Sequence, residues 1–302
     1  MGKETDKIIF ESGPRDVFSK NLVTEWISAY NFSRKKWSWI PAESAFIGYV
    51  PKPGIKAFCL HHTMGLSAGS TLEEATANGI FEIMERDAYW NVMRCRLNCP
   101  DIKEKFMSHK SKVIRNFIKT LDLKLVLKDI SLDWPVHIVH ATLINEKEYI
   151  PAFSHGTGSS FSLKEAIEKA ILEAIQVYSG LVELAKHEEN RVVSVEGVIG
   201  NSCLAWLDPL IKPHISHLIH QGKREERKEK TNNMDELIKI IKKKGHEIFS
   251  AKLAEVGDLV LVRTYITGST HPDDRLERIS KRLGKNIKFH CPRGAYWDPI
   301  LT

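Results

Sequence analysis

No apolar run in this 302-residue chain approaches the roughly 18 residues that a membrane span requires. The N-terminal Met1-Gly2-Lys3-Glu4-Thr5-Asp6-Lys7 lacks the apolar core of a secretory signal, and Asp6 stands where a myristoylation motif calls for Ser or Thr. Cysteine is scarce: the 5 cysteines are odd in number and scattered, so no disulfide framework is expected. Cys95 and Cys99 are the one close pair, and without a second pair nearby they read as buried or half-exposed thiols rather than zinc ligands. Charge of one sign is also nearly absent in excess, with 44 Lys and Arg against 38 Asp and Glu, a net charge of +6. No basic stretch is interleaved with aromatics, which argues against a nucleic-acid partner. The chain is therefore expected to be cytoplasmic, with neither membrane nor nucleic acid as partner.

What is present begins with length, which suffices for one large domain or two ordinary ones. The informative stretch is Gly65 to Trp90. It opens on small residues, read as a loop, and Thr71 with Glu74 forms a capping-box pattern that predicts a helix from about Leu72. On a helical wheel Glu74, Asn78, Glu82 and Glu85 fall within about 80° of arc. The rest of the circumference, Ala75, Thr76, Gly79, Ile80, Ile83, Met84 and Ala88, is apolar or small. No basic residue precedes Arg86 on this helix to neutralise the acids. Such a stripe is what an ordinary solvated face looks like, and it is also what a Mg²⁺ ion held against phosphate would use.

The device recurs. His155-Gly156-Thr157-Gly158-Ser159-Ser160, read as a glycine loop, feeds a second helix capped by Ser162 and Glu165. Its apolar face is Ile167, Ala170, Ile171, Ala174, Ile175 and Tyr178, and Glu165, Lys169, Glu173 and Gln176 share the opposite stripe. Helix starts favour anions, so two such units together point to a phosphate-and-metal site.

Elsewhere, helices are predicted over Lys20 to Tyr30, Asp101 to Lys110, Lys112 to Leu121 and Asp235 to Lys244, the last ended by Gly245. Strands are predicted over Ile55 to Leu60, Leu123 to Lys128, Val136 to Leu143, Tyr149 to Ser154, Ile248 to Leu253 and Leu259 to Ile266. Trp39 to Ile47 reads as an extended connection, and His137 and His140 as ordinary strand residues. The charged run Lys223 to Lys230 reads as a solvated segment.

The Gly65-Leu-Ser-Ala-Gly-Ser-Thr-Leu-Glu-Glu-Ala segment, followed by Gly79-Ile-Phe-Glu-Ile-Met-Glu-Arg-Asp-Ala, resembles the central signature of the YcaO-domain family. Ile40-Pro41-Ala42-Glu43, Lys128-Asp129-Ile130, Gly156-x-Gly158 and Leu172-Glu173-Ala174-Ile175-Gln176 occur in the same order as the family's supporting motifs. The resemblance is clearest over residues 37–180. It implies an α+β fold of mixed β-sheets packed with helices, with residues 1–36 as an N-terminal segment and 37–302 as the YcaO-like domain. It also implies ATP and Mg²⁺ as cofactors in the activation of a peptide backbone amide, leading to an azoline or a thioamide. Matched to the family's motifs, Glu74, Glu82 and Glu85 fall on metal or nucleotide positions and Arg86 on the phosphate arginine. Ser70 stands where the family usually has Asn, and Glu173 and Gln176 match the later helix.

Three departures are visible. The family's earlier half-site, a Gly-Lys-Gly loop with another Glu-x-x-Glu-Arg helix, has no counterpart in the 36 residues before Trp37. The chain ends Asp298-Pro299-Ile300-Leu301-Thr302 without the proline-rich tail of azoline-forming members, and Tyr178 stands where an arginine often follows the Gln motif. The implied function is a cyclodehydratase or thioamide-forming component acting on a ribosomal precursor peptide or protein. Its implied partner is ThiF-like or TfuA-like, or a chain supplying the missing half-site, and a homo-oligomer is compatible with the resemblance. The alternative is a non-catalytic scaffold that binds a precursor peptide or a partner enzyme.

Overall fold

The computed structural model describes residues 24–55, 62–147, 151–187, 212, 215–222 and 230–269. The fold is α+β, as expected, and every strand pairing among the described residues is antiparallel. Two units are distinguished, one up to Asp87 together with the described residues from Asn233 onward, the other from Ala88 to Asn232.

In the first unit, β1 (Trp26–Asn31) and β2 (Lys36–Pro41) form a hairpin with Ser28 opposite Trp39. The helix expected over Lys20 to Tyr30 is therefore a strand from Trp26 on, because Trp26, Ile27 and Tyr30 suit a pleated surface and the segment finds a partner strand in β2. The hairpin spans residue 36, and on its other side β1 pairs with Phe249 and Ser250. β2 ends at Pro41, which as an edge residue loses no ladder bond. The expected extended connection after it is instead a helical turn, α1 (Ala42–Ala45), fixed by Ser44 Oγ donating to Pro41 O. β3 (Leu66–Gly69), β7 (Ile248–Val256) and β8 (Leu259–Ile266) complete a sheet ordered β2-β1-β7-β8-β3. Its core holds Ala29, Ile40, Ala45, Phe249, Ala251 and Tyr265.

Helix α2 (Leu72–Cys95) starts where predicted and runs from the first unit into the second. All seven apolar or small residues assigned to its inner face are buried. Its early turns lie close on the sheet: a Cβ at Gly79 would meet Thr264 Oγ1 at 2.5 Å, and Ser67 Oγ donates to Ala75 O.

The second unit has a sheet ordered β4-β5-β6, with β4 (Leu123–Asp129), β5 (His137–Asn145) and β6 (Phe153–Ser160). Helix α3 (His109–Thr120) is capped by Ser108, whose side chain accepts from Ser111 N. The predicted helix over Asp101 to Lys110 is absent. There the backbone of Ile102 donates to Leu127 O and that of Asp129 to Pro100 O, so the segment is spent along β4 before a 3-10 turn at Glu104–Phe106. Helix α4 (Leu163–His187) packs its predicted face, Ile167, Ala170, Ile171 and Ala174, against Val139, Ala141 and Leu143 of β5.

Both segments read as glycine loops are strands. Gly156 and Gly158 lie in β6, and a Cβ there would meet Ala174 N at 2.3 Å and Ala166 O at 2.4 Å. These glycines admit a helix onto a sheet rather than cradling an anion. The Gly65 segment is likewise strand β3 from Leu66.

Helices α5 (Ser216–Ile219) and α6 (Met234–Lys243) come next, α6 ending at Gly245 with φ +86 as the sequence indicated. Cys99 is a buried thiol as expected, but Cys95 is disulfide-bonded, which corrects its reading as a thiol. The strand expected over Ile55 to Leu60 and the run Lys223 to Lys230 fall largely outside the described residues, and that expected over Tyr149 to Ser154 is seen only from Phe153, as the start of β6.

Candidate functional site

The first unit presents one acidic wall, built by the β3-to-α2 junction. Thr71 caps α2 as expected, its hydroxyl accepting from Glu74 N at 3.1 Å. The carboxylate half of the capping box is displaced by one residue. Glu74 Oε2 accepts from the Ser70 backbone N–H at 2.8 Å and from the Ser70 hydroxyl. That hydroxyl and then that amide hold the Glu74 carboxyl below its ordinary range. Ser70 and Glu74 thus act as one exposed unit, with the serine spent on the glutamate.

One turn on, Asn78 Nδ2 donates to Ala68 O at 2.9 Å, tying the stripe to β3. Glu82, like Glu85, is partly buried. Its Oε2 accepts from Gly65 N at 2.9 Å, and Gly65 in turn adopts φ +81 with Thr264 O only 2.2 Å from where a Cβ would sit. Only glycine fits that position. Burial pushes the Glu82 carboxyl up, the Gly65 amide and the charges of Arg86 and Arg263 pull it down, and Glu85 pushes it up again. Glu82, Glu85 and Arg86 are therefore electrostatic neighbours, as the wheel required.

The second unit presents the other motif. Glu165 Oε2 accepts from Ser160 Oγ at 2.6 Å rather than from a cap amide, and this contact lowers its carboxyl. Lys169 pairs with Glu165 at 3.3 Å and donates to Ser159 O. Glu173 Oε2 receives both the backbone N–H and the hydroxyl of Thr157, in β6, the edge strand of its sheet among the described residues. Gln176 is exposed one turn further. Among the described residues no three His, Cys, Asp or Glu side chains form a ready-made metal site. A Mg²⁺ ion here would draw its remaining ligands from phosphate oxygens and water, the usual arrangement for that ion.

Two features escaped the sequence reading. Arg263 of β8 is 2% exposed and lies against the Tyr265 ring, 5.7 Å from guanidinium carbon to centroid. Its Nη2 donates to His62 O at 2.7 Å, while Nε and Nη1 have no hydrogen-bond partner among the described residues. Nothing local in Leu261-Val262-Arg263-Thr264 distinguishes this arginine from a strand residue with an exposed tip. The other feature is a parallel stack of Tyr89, His155 and His140, with His140 fully buried. Carboxylates, a neighbouring arginine and a buried cation with orphaned donors suit a metal-bound polyphosphate.

The comparisons with known proteins agree in kind. The model of a family described as YcaO cyclodehydratase, ATP- and Mg²⁺-binding, matches residues 8–269. A solved heterocyclase in complex with substrate and cofactor superposes with a TM-score of 0.70 at 20% identity, over 88% of this chain and 36% of that one. The YcaO protein of Methanopyrus kandleri, bound with AMPPCP and Mg²⁺, gives 0.61 at 19% identity, over 93% and 71%. The microcin synthetase McbBCD complex of E. coli gives 0.62 at 16%, over 93% and 79%. An uncharacterised protein of Methanothermobacter thermautotrophicus is 27% identical over 156 residues, 50% of this chain and 40% of its own length. The chain thus spans well under half of that relative and of the heterocyclase. At these identities the structural matches show the fold, and the family model shows membership. The chain belongs to the YcaO family, whose cofactors are ATP and Mg²⁺.

Proposed function

We propose that this chain takes part in ATP- and Mg²⁺-dependent activation of a peptide backbone amide, toward an azoline or a thioamide. The observation that carries the reading is the Glu82 carboxylate: partly buried, oriented by Gly65 N–H, and set beside Glu85, Arg86 and Arg263. Mg·ATP would supply the phosphoryl group that turns the amide oxygen into a leaving group. In this reading Glu82 and Glu85 hold the metal, with Glu74 at the rim steadied by Ser70. Arg86 offsets phosphate charge, the standard means of stabilising phosphoryl transfer. Glu173 and Gln176 belong to the nucleotide-facing motif of α4. The nucleophile is a Cys, Ser or Thr side chain of the substrate for an azoline, or external sulfide for a thioamide.

The substrate in this reading is a ribosomally made precursor peptide or a protein, and a second polypeptide, ThiF-like, TfuA-like or carrying a further half-site, completes the enzyme. Related structures support the class: one heterocyclase is described with its substrate, and the microcin synthetase as a multi-protein complex with its precursor.

Calorimetric titration of ATP with and without Mg²⁺, on the chain alone and with candidate partners, tests the proposal. Absence of binding in every combination sinks it. Mass spectrometry of a modified peptide then separates loss of water from exchange of oxygen for sulfur.

A non-catalytic scaffold is the second reading. It is favoured by Glu173, whose carboxylate is engaged by Thr157 at the β6 edge and so serves the fold. It expects partner binding indifferent to substitution at Glu82 and Glu85.

A further inference from the structure

A guanidinium carries its charge at every accessible pH and offers five N–H donors in a rigid fork. Leaving such a cation buried without acceptors is costly, so buried arginines are ordinarily fully paired. Arg263 departs from that rule. It is 2% exposed, only Nη2 is spent, on His62 O at 2.7 Å and His62 Nδ1 at 3.2 Å, and the donors on Nε and Nη1 find nothing among the described residues.

The fixed part of the side chain belongs to the same clip that aims Glu82. Arg263 pairs with Leu66 in the β3–β8 ladder, and its neighbour Thr264 donates to Gly65 O at 2.8 Å. Gly65 N–H then donates to Glu82. One end of the guanidinium is thus pinned to the His62–Gly65 segment, while two of its nitrogens are held ready in the field of the Glu82 carboxylate.

We propose that Arg263 is an anion-binding residue of the Glu82 site, its Nε and Nη1 receiving oxygens of the polyphosphate chain of the nucleotide. This rests on the nucleotide-binding reading above. The ligand class is set by charge. A guanidinium fork accepts carboxylate or phosphate, but a free carboxylate arriving beside Glu82, Glu85 and Glu74 meets like charge. A polyphosphate arrives with its own divalent cation, which turns those acids from repulsive to attractive. Arg263 approaches from β8 and Arg86 from α2, so the two cations reach the chain of phosphates from different elements.

The test compares ligands of increasing phosphate number on the full chain, with the partner if one is needed for binding. Mg²⁺ complexes of ATP, ADP and AMP, and inorganic tripolyphosphate and orthophosphate, are titrated calorimetrically against the wild type, Arg263→Lys and Arg263→Gln. The expected result is a preference for ATP over AMP in the wild type that shrinks by about 10- to 100-fold in both variants, the scale of lost charge-assisted hydrogen bonds. AMP affinity should change little. Lysine keeps the charge but not the fork, so it should not restore the preference. A thermal shift of the wild type by tripolyphosphate, larger than by orthophosphate, needs no variant and guards against misfolding. The proposal is overturned if the variants weaken ATP and AMP equally, which marks a structural role, or if tripolyphosphate does not stabilise the wild type. Failure of the wild type to bind ATP under any condition overturns the underlying function as well, and so is distinguishable from failure of Arg263 alone.

Discussion

The Gly65 backbone N–H donates to Glu82 Oε2 at 2.9 Å, across 17 residues of chain, and so fixes a partly buried carboxylate of the acidic stripe. A carboxylate pre-aimed in this way loses little freedom on taking a metal. Glu82→Gln keeps an acceptor for Gly65 and removes the charge. It should retain the fold and weaken Mg²⁺-dependent ATP binding by about 10- to 100-fold, read by calorimetry. Unchanged affinity would exclude Glu82 as a metal ligand. Chelation of Mg²⁺ from the wild type should produce a loss of at least the same size.

Gly158→Ala forces a methyl group to within 2.4 Å of Ala166 O and 2.6 Å of Ala170 N, both backbone atoms of α4. Neither can yield without moving the helix from the sheet. The expected cost is about 1–3 kcal/mol, measured by denaturant unfolding. A phosphate-cradling glycine would instead lose ligand affinity at unchanged stability.

Lys128 is fully buried, pairs with Asp101 Oδ1 at 2.6 Å and donates to the carbonyl of His220. Asp101→Asn removes the charge opposing a buried ammonium. Since Asp101 is 38% exposed, water screens part of the loss, and about 1–3 kcal/mol of destabilisation is expected rather than the larger penalty of a fully buried pair. Lys128→Met with Asp101→Asn should recover part of it in a double-mutant cycle.

Burial first, and then the electrostatic influence of the nearby His155, His217 and Lys128, holds the His140 imidazole well below its ordinary pKa of 6.5. Well above pH 6.5 neither the folded nor the unfolded chain binds a proton at this ring. Below it the unfolded chain takes one up and the folded chain does not, so stability falls as pH drops from 6.5 toward the depressed value. For one proton the slope approaches about 1.4 kcal/mol per pH unit. His140→Gln should flatten the profile by about that much. An identical slope in the variant would assign the pH dependence to other groups.

Legibility in the sequence tracked the range of the interactions. Helix α2 begins at Leu72 and α6 stops before Gly245 because caps act within one turn. The buried faces of α2 and α4 arise from the 3.6-residue period, and β8 from the alternation of Val260, Val262, Thr264 and Ile266. The hairpin of β1 was missed because Trp-Ile-Ser-Ala-Tyr-Asn carries no clear alternation and becomes a strand only once Lys36–Pro41 pairs with it. Small-residue strands β3 and β6 looked like loops for a related reason. Their glycines carry no strand propensity and are explained only by the helices packed on them.

The stripe of Glu74, Glu82 and Glu85 beside Arg86 was thus determined by the sequence itself, since a helix fixes which side chains share a line. What binds each of those carboxylates was decided by the tertiary structure. Ser70 folds back onto Glu74 through a junction shifted by one residue, and Gly65 reaches Glu82 only because β8 holds its carbonyl. Arg263 reaches His62 across a sequence separation of 201. Local periodicity cannot encode a contact of that separation; the β3–β8 ladder makes it, by setting Leu66 opposite Arg263.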